Sequence, residues 1–376
     1  MSLLFSSLLR QLPIHHSPLS LNLSNKDQLI QLLVQFTIHS YYFDRPLGQL
    51  AYDLLWMHLG IPYEHNLNWY IDALNLEKVD ISNLTTIENY YPCNPSILPY
   101  QKGFLINIRQ VNYKQEYALN YKTLTGHVNT RNIIAYVDEN FNLVDKFEII
   151  ENPTRPCYPS LVTGMEDIRL FWSPDGYLHG SCTILDAYPE RKIAIGYFKT
   201  LFHKDSHINE TLNVDVQVLA SPYDRNCEKN WLPFVLDDKI HFFYDTGPLE
   251  IYSPPGNSMI IPDFNKHKFR ASAGPLLYKE GYLVLVHNHL WQVGVEKGRN
   301  YIHRFLYLSK DWKILSTSPW FYFEHAGIEF SLSMCFHNDK LLIGYGKEDC
   351  QAYVGLLSLD KLNSMLKEVP VVIWEE

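Results

Sequence analysis

The 376 residues are enough for one large domain or two ordinary ones, so core size is not limiting. A net charge of -9 argues against an electrostatic grip on nucleic acid or anionic lipid. Aromatic residues make up 14% of the chain, with 26 tyrosines and 8 tryptophans, which favours β-structure and stacking surfaces over a helical bundle.

The six cysteines (Cys93, Cys157, Cys182, Cys227, Cys335, Cys350) are scattered without a Cys-x-x-Cys pair, and free thiols are expected. No run reaches the roughly 18 apolar residues of a membrane span. Met1 to Leu12 lacks a basic n-region and a clear cleavage site. The sequons at Asn22, Asn83 and Asn209 therefore read as chance, and the chain reads as soluble and cytoplasmic.

Residues 1–85 read as a helical N-terminal segment. After a capping-box-like Ser24-Asn25-Lys26-Asp27, the residues Leu29, Leu32, Leu33, Phe36 and His39 recur at helical spacing. A second such pattern runs from Leu47 through Leu50, Leu54, Leu55 and His58, and stops at Gly60-Ile61-Pro62. Together they predict a helical hairpin that caps the remainder or docks a protein partner.

From residue 86 to 376 the pattern changes to short strands between polar turns. An apolar strand entered by a tight polar turn recurs five times, at Lys102-Gly103, Asp175-Gly176, Asp237-Asp238, Glu280-Gly281 and Asn338-Asp339. A distinctive segment precedes each turn. In order these are Asn94-Pro95-Ser96-Ile97, Glu166-Asp167-Ile168-Arg169, Lys229-Asn230-Trp231-Leu232-Pro233-Phe234, Arg270-Ala271-Ser272-Ala273-Gly274 and Ile328-Glu329-Phe330-Ser331. The strand beyond each turn ends in polar residues: Asn107 and Arg109, Ser181 and Thr183, Tyr244 and Asp245, His287 and His289, Lys347 and Asp349. Such a diverged repeat predicts a mainly β fold, a five-bladed β-propeller whose innermost strands bring the polar segments to one axial funnel.

Glu166-Asp167-Ile168-Arg169 carries the most chemistry. Adjacent carboxylates repel when both are ionised, so one pKa should rise unless a cation sits close. Arg169, two positions after Asp167, lies on the same side of an extended chain and could supply that cation. A carboxyl kept protonated near neutrality is what glycosidic-bond chemistry needs. The competing reading is a surface turn with a local ion pair. His287 and His289 alternate on one strand like a metal pair, but no third ligand stands at a clear spacing. No metal or cofactor is expected.

These segments, over roughly residues 90–365, resemble the five-bladed propellers of glycoside hydrolase family 130, the inverting mannoside phosphorylases and mannosidases. They also resemble the related mannosyltransferases of glycosyltransferase family 108. Glu166-Asp167-Ile168-Arg169 stands where the family shows Glu-Asp-Pro-Arg, and Lys229-Asn230 with Leu232-Pro233-Phe234 is similar to its Lys-Asn…Phe-Pro stretch. The run from Gly281 to His287 resembles its Gly-Trp-Leu…Tyr-His stretch, and Gly344 to Asp349 sits where it has Tyr-Gly-Ala-Ala-Asp. Ile168 replaces the proline, and Lys347-Glu348 replaces two small residues. The resemblance implies inverting transfer or cleavage of a β-mannosyl unit, with Asp167 as general acid acting through a sugar hydroxyl. It also implies Lys229 and His287 as phosphate ligands.

Around that acid the candidate substrate-binding set is Asn94, Arg109, Glu166, Arg169, Lys229, Asn230, Tyr244, Asp245, Arg270, His287, His303, Glu329 and Asp349. Arg109, Lys229, Arg270 and His287 suit phosphate, a nucleotide-sugar diphosphate or a carboxylated sugar as co-substrate. Asp245, Glu329 and Asp349 suit sugar hydroxyls, and Trp231, Tyr244 and Tyr301 suit a pyranose face. The expected substrate is an oligosaccharide or glycoconjugate. The alternative is a non-catalytic glycan-binding or scaffold propeller.

Overall fold

All five polar turns close antiparallel hairpins, and left-handed residues tighten them. Gln101, Gly176, Asp237, Asp238, Lys279 and Asn338 have φ between 49° and 81°, a region that Gly, Asn and Asp enter at least cost. The computed structural model describes residues 72–368, apart from 116–120, 124–125, 208–210, 224, 247–248, 255, 262–268 and 292–298. These residues belong to one compact unit, Asn68–Glu376.

Five sheets grow from the five hairpins. Their innermost strands are Tyr91–Tyr100, Glu166–Trp172, Leu232–Leu236, Arg270–Tyr278 and Glu329–His337. Each pairs antiparallel with the strand after its turn: Gly103–Val111, Tyr177–Ile184, Lys239–Thr246, Gly281–Trp291 and Lys340–Lys347. Further strands continue each sheet outward. The mainly β, five-bladed propeller expected from the repeat is the observed architecture.

Neighbouring blades cover one another's faces, so a strand such as Gly103–Val111 is buried at all nine positions. Tyr100, Ile134 and Phe147 of the first blade pack with Ile168, Leu178 and Phe198 of the second. Ile195 then joins Trp231, Phe242 and Tyr252 of the third. Leu232, Phe243 and Ile251 meet Val284, Ile302 and Leu306 of the fourth. Leu283, Leu285 and Phe305 meet Met334, Ile343 and Tyr345 of the fifth. Leu342 and Val354 return to Ile97, Ile106 and Ile108 of the first. That last cluster closes the ring.

The N-terminal expectation needs correcting where it can be seen. Of the helical segment expected over residues 1–85, residues 72–85 are described, and they form two short strands and a 3-10 turn. Glu77–Asp80 pairs antiparallel with Gln351–Ser358 and becomes the outer strand of the fifth blade. Neither helical pattern reaches these residues, and pairing to an open sheet edge orders Glu77–Asp80 as strand. The rest of the segment, with its proposed docking role, lies outside the described residues. Among those residues the one α-helix is Leu359–Met365, where the Ser358 side chain caps the Lys361 N–H. No described helix is long and apolar enough to cross a membrane. All six cysteines are free.

Candidate active site

Asp167 leaves the alternation of its strand. The pairing passes from Glu166↔Thr183 to Arg169↔Ser181, so Asp167 and Ile168 oppose a single residue, and Asp167 takes φ 53°. Blade one repeats the device: Cys93↔Arg109 is followed by Ser96↔Asn107, and Asn94 takes φ 45°. A bulge re-aims the side chain it displaces. Here the two displaced side chains meet, Asn94 Nδ2 donating to Asp167 Oδ1 at 2.9 Å. Asn230, at φ 64°, holds the corresponding place before the third innermost strand. Gly346 makes room for this arrangement, because a Cβ there would stand 2.5 Å from the backbone nitrogen of Asn94.

The cation between the acids is Arg109, not the expected Arg169. Arg109 Nη2 bonds Glu166 Oε1 at 2.6 Å and Nη1 bonds Asp167 Oδ1 at 3.0 Å, while Nε donates to Thr130 Oγ1 at 3.0 Å. The bulge explains the exchange. It puts Asp167 and Arg169 out of the same-side relation that a regular strand would give them. Arg169 points into the axial channel and donates from Nη2 to the Ser272 carbonyl at 3.4 Å.

The electrostatics correct a second expectation. Burial pushes the Asp167 carboxyl up, but Arg109, the Asn94 bond, Lys229 and Arg169 outweigh it and hold Asp167 below the usual carboxylate range. Burial likewise works against the Arg109 charge, and Glu166 and Asp167 overcome it. The free protein therefore keeps Asp167 ionised rather than raised. Lys229 stands 3.7 Å from Glu166 Oε2 and is 40% exposed, within reach of an incoming anion.

Other candidates scatter in role. Arg270 is exposed on the fourth innermost strand, opposite His287. His287 is buried, its Nδ1 bonded to Ser272 Oγ at 2.7 Å and its ring stacked on Tyr301. Asp349 accepts from the Tyr113 hydroxyl at 3.3 Å. Tyr244 and Trp231 do not face a sugar. Both are buried and donate to Glu228 Oε1 and Oε2, at 3.0 and 3.1 Å. The side chains of Asp245 and His289 lie outside the described residues.

His303 and Glu329 hold the protein together rather than line a funnel. His303 Nε2 lies 2.9 Å from the Glu329 carbonyl oxygen, and burial pulls the imidazole down to about 4. Glu329 is fully buried and accepts backbone N–H bonds from Phe323 at 2.7 Å, Glu324 at 3.0 Å and His325 at 3.2 Å. Burial pushes its carboxyl up to about 7 against those donors. The same loop explains the Lys347-Glu348 departure. Lys347 and Lys78 bind Glu324 at 2.8 and 2.7 Å, and Glu348 Oε1 accepts the Ile328 N–H at 3.1 Å.

Glu329→Gln is expected to cost about 1–3 kcal/mol, because one amide nitrogen would face backbone donors. The raised carboxyl contributes stability that is present below about 4.5 and lost as pH rises through about 7. Thermal midpoints across that window should fall with rising pH in the wild type, and less so in the variant. Identical slopes would show that Glu329 does not titrate there.

Sequence reading missed Thr130, Asn132 and Tyr113. Asn132 Nδ2 donates to the Met165 carbonyl at 2.8 Å and so fixes the entry to Glu166. The available signal was a pair of polar residues two apart in apolar strands, Asn107 with Arg109 and Thr130 with Asn132. Among the described residues no group of three or more His, Cys, Asp or Glu side chains could hold a metal ion.

No family model matches the sequence, and no curated protein matches it. Solved structures match in fold. A β-1,2-mannobiose phosphorylase from Listeria innocua, in complex with β-1,2-mannobiose, has a TM-score of 0.52 at 13% identity, over 78% of this chain and 99% of that one. A structure from the GH130 family of mannoside phosphorylases, which contains glycoside hydrolases targeting β-1,2 mannosidic linkages in Candida mannan, scores 0.52 at 12% identity over 81% and 98%. The fold is that of these family 130 propellers. A glycosyl hydrolase from Bacteroides ovatus scores 0.50 at 11% identity over 82% and 94%.

Proposed function

We propose that this chain is an inverting carbohydrate-active enzyme that transfers or cleaves a β-mannosyl unit, with Asp167 as general acid. The co-substrate is phosphate, a nucleotide sugar or another glycan. One observation carries this reading: Asp167 sits on a left-handed bulge, aimed off its strand and pinned by a guanidinium and an amide from the neighbouring blade. Bulges recur beside active sites because they aim side chains that a regular strand would not. The fold shared with a mannobiose phosphorylase favours a β-mannoside, by analogy.

A general acid must be protonated when it acts, yet cations hold Asp167 ionised in the free protein. Phosphate or a sugar phosphate seated on the exposed Lys229, beside Arg109, would offset the field of both cations and leave burial to raise the carboxyl. Calorimetry in buffers of different ionisation enthalpy should then show proton uptake on phosphate binding, and binding should weaken as salt rises. Phosphate that binds without taking up a proton would remove the acid role from Asp167.

The deciding experiment is product analysis with manno-oligosaccharides, with and without phosphate, and with sugar nucleotides. A sugar 1-phosphate means phosphorolysis, a free sugar hydrolysis and a lengthened glycan transfer. A second reading, a propeller that holds a glycan without cleaving it, is favoured by Arg109 already satisfying both carboxylates. It predicts saturable manno-oligosaccharide binding and no product in any arm.

A further inference from the structure

The hairpin-turn end of the propeller axis, away from Asp167, holds a cavity of about 630 Å³. That lies within the roughly 300–1,000 Å³ typical of small-molecule sites. All five innermost strands line it, largely through apolar side chains such as Leu98, Trp172, Phe234, Leu276, Met334 and Phe336. Its rim includes Leu277 and Val235, which are 76% and 39% exposed. Asp237 also stands at the rim, exposed on its turn, where solvent screens it.

The inner end has a different character. Arg169 lines the cavity from mid-strand and is 5% exposed. Its Nε has no hydrogen-bond partner, and Nη2 makes the long contact to Ser272 O at 3.4 Å. Asp167, its neighbour in sequence, is bound by Arg109 instead. Asp167 therefore attracts Arg169 without hydrogen-bonding it, and a buried guanidinium with an open Nε–H is costly unless a hydrogen-bonding anion reaches it. An apolar sleeve ending on such a group selects an amphiphilic anion over a sugar.

We infer that the axial channel binds an alkyl carboxylate, its chain along the sleeve and its carboxylate against Arg169 Nε and Nη. The guanidinium fork matches a carboxylate in two parallel hydrogen bonds, and the open Nε–H leaves one of them waiting. This inference stands apart from the glycan chemistry at Asp167, and its readout is binding rather than turnover.

Dodecanoate below its micellar concentration, dodecanol and dodecyltrimethylammonium are titrated by calorimetry into the full chain. The expected result is saturable, single-site binding of the carboxylate, about tenfold or more tighter than the alcohol, with no binding of the ammonium. Arg169→Met should abolish that head-group preference. Leu277→Glu, on the exposed rim, should weaken the carboxylate by like-charge repulsion, and Leu277→Lys should strengthen it. Absence of saturable binding, equal binding of the three head groups, or a preference that survives Arg169→Met would overturn the inference. If Arg169→Met does not fold, the head-group comparison on the unmodified chain and the rim variants still decide it.

Discussion

Asp167→Asn is expected to lower kcat about 10²-fold or more while leaving KM and the fold largely intact. The amide matches the carboxyl in shape and keeps an oxygen for the Asn94 amide and the Arg109 guanidinium, but it cannot deliver a proton. Glu166→Gln is the built-in control. It removes a charge from the adjacent residue and from the same guanidinium, so the two variants should melt at similar temperatures. Its effect on turnover should be smaller and should appear in binding, since Glu166 also meets Lys229. Near-full activity of Asp167→Asn on the true substrate would end the mechanism. If Asp167→Asn instead melted far below Glu166→Gln, Asp167 would be a structural partner of Arg109 and the non-catalytic reading would gain.

The five turns and the strands leaving them were legible because hairpin chemistry is local. Asp237-Asp238 and Asn338-Asp339 announce left-handed turns within two residues. The convergence of Asn94, Glu166 and Asp167 was legible for a similar reason, since equivalent places in a repeated unit come to one axis. What failed required a register irregularity. Strict alternation assigns Arg169 to Asp167, and one extra residue in the bulge cancels that assignment. The true partner, Arg109, lies 58 residues away in sequence on another blade, so no local rule could supply it. Glu329, His303 and Tyr244 failed differently. The Glu329 carboxylate, the His303 Nε2 and the Tyr244 hydroxyl are consumed by buried hydrogen bonds to the 323–325 backbone, a carbonyl and Glu228, and burial of that kind leaves no mark in a single sequence. Lys347-Glu348, which stands where the resembled family has two small residues, is a pair of anchors for that same loop.

Arg109→Met should be the most destabilising of these changes, costing about 3–5 kcal/mol at neutral pH. Methionine fills much of the volume, so a cavity contributes little. The cost comes from Glu166 and Asp167, left adjacent and buried without their shared cation. The pH dependence identifies the cause. In the wild type Asp167 is held below its ordinary 3.8, so its contribution is present above about 3.8 and lost as pH falls through the lower folded value. Without Arg109, burial becomes the dominant influence and the folded value rises above 3.8. The variant then keeps its stability below about 3.8 and loses it as pH rises, so its deficit relative to wild type should shrink on acidification. Denaturant midpoints measured from neutrality down toward the carboxylate range would show the two curves converging. Arg109→Lys should fall between them, because one ammonium cannot span both carboxylates and Thr130 as the guanidinium does. A deficit that stayed constant with pH would mean that Arg109 contributes packing rather than charge. The bulge at Asp167 would then have to be held in place by Asn94 alone.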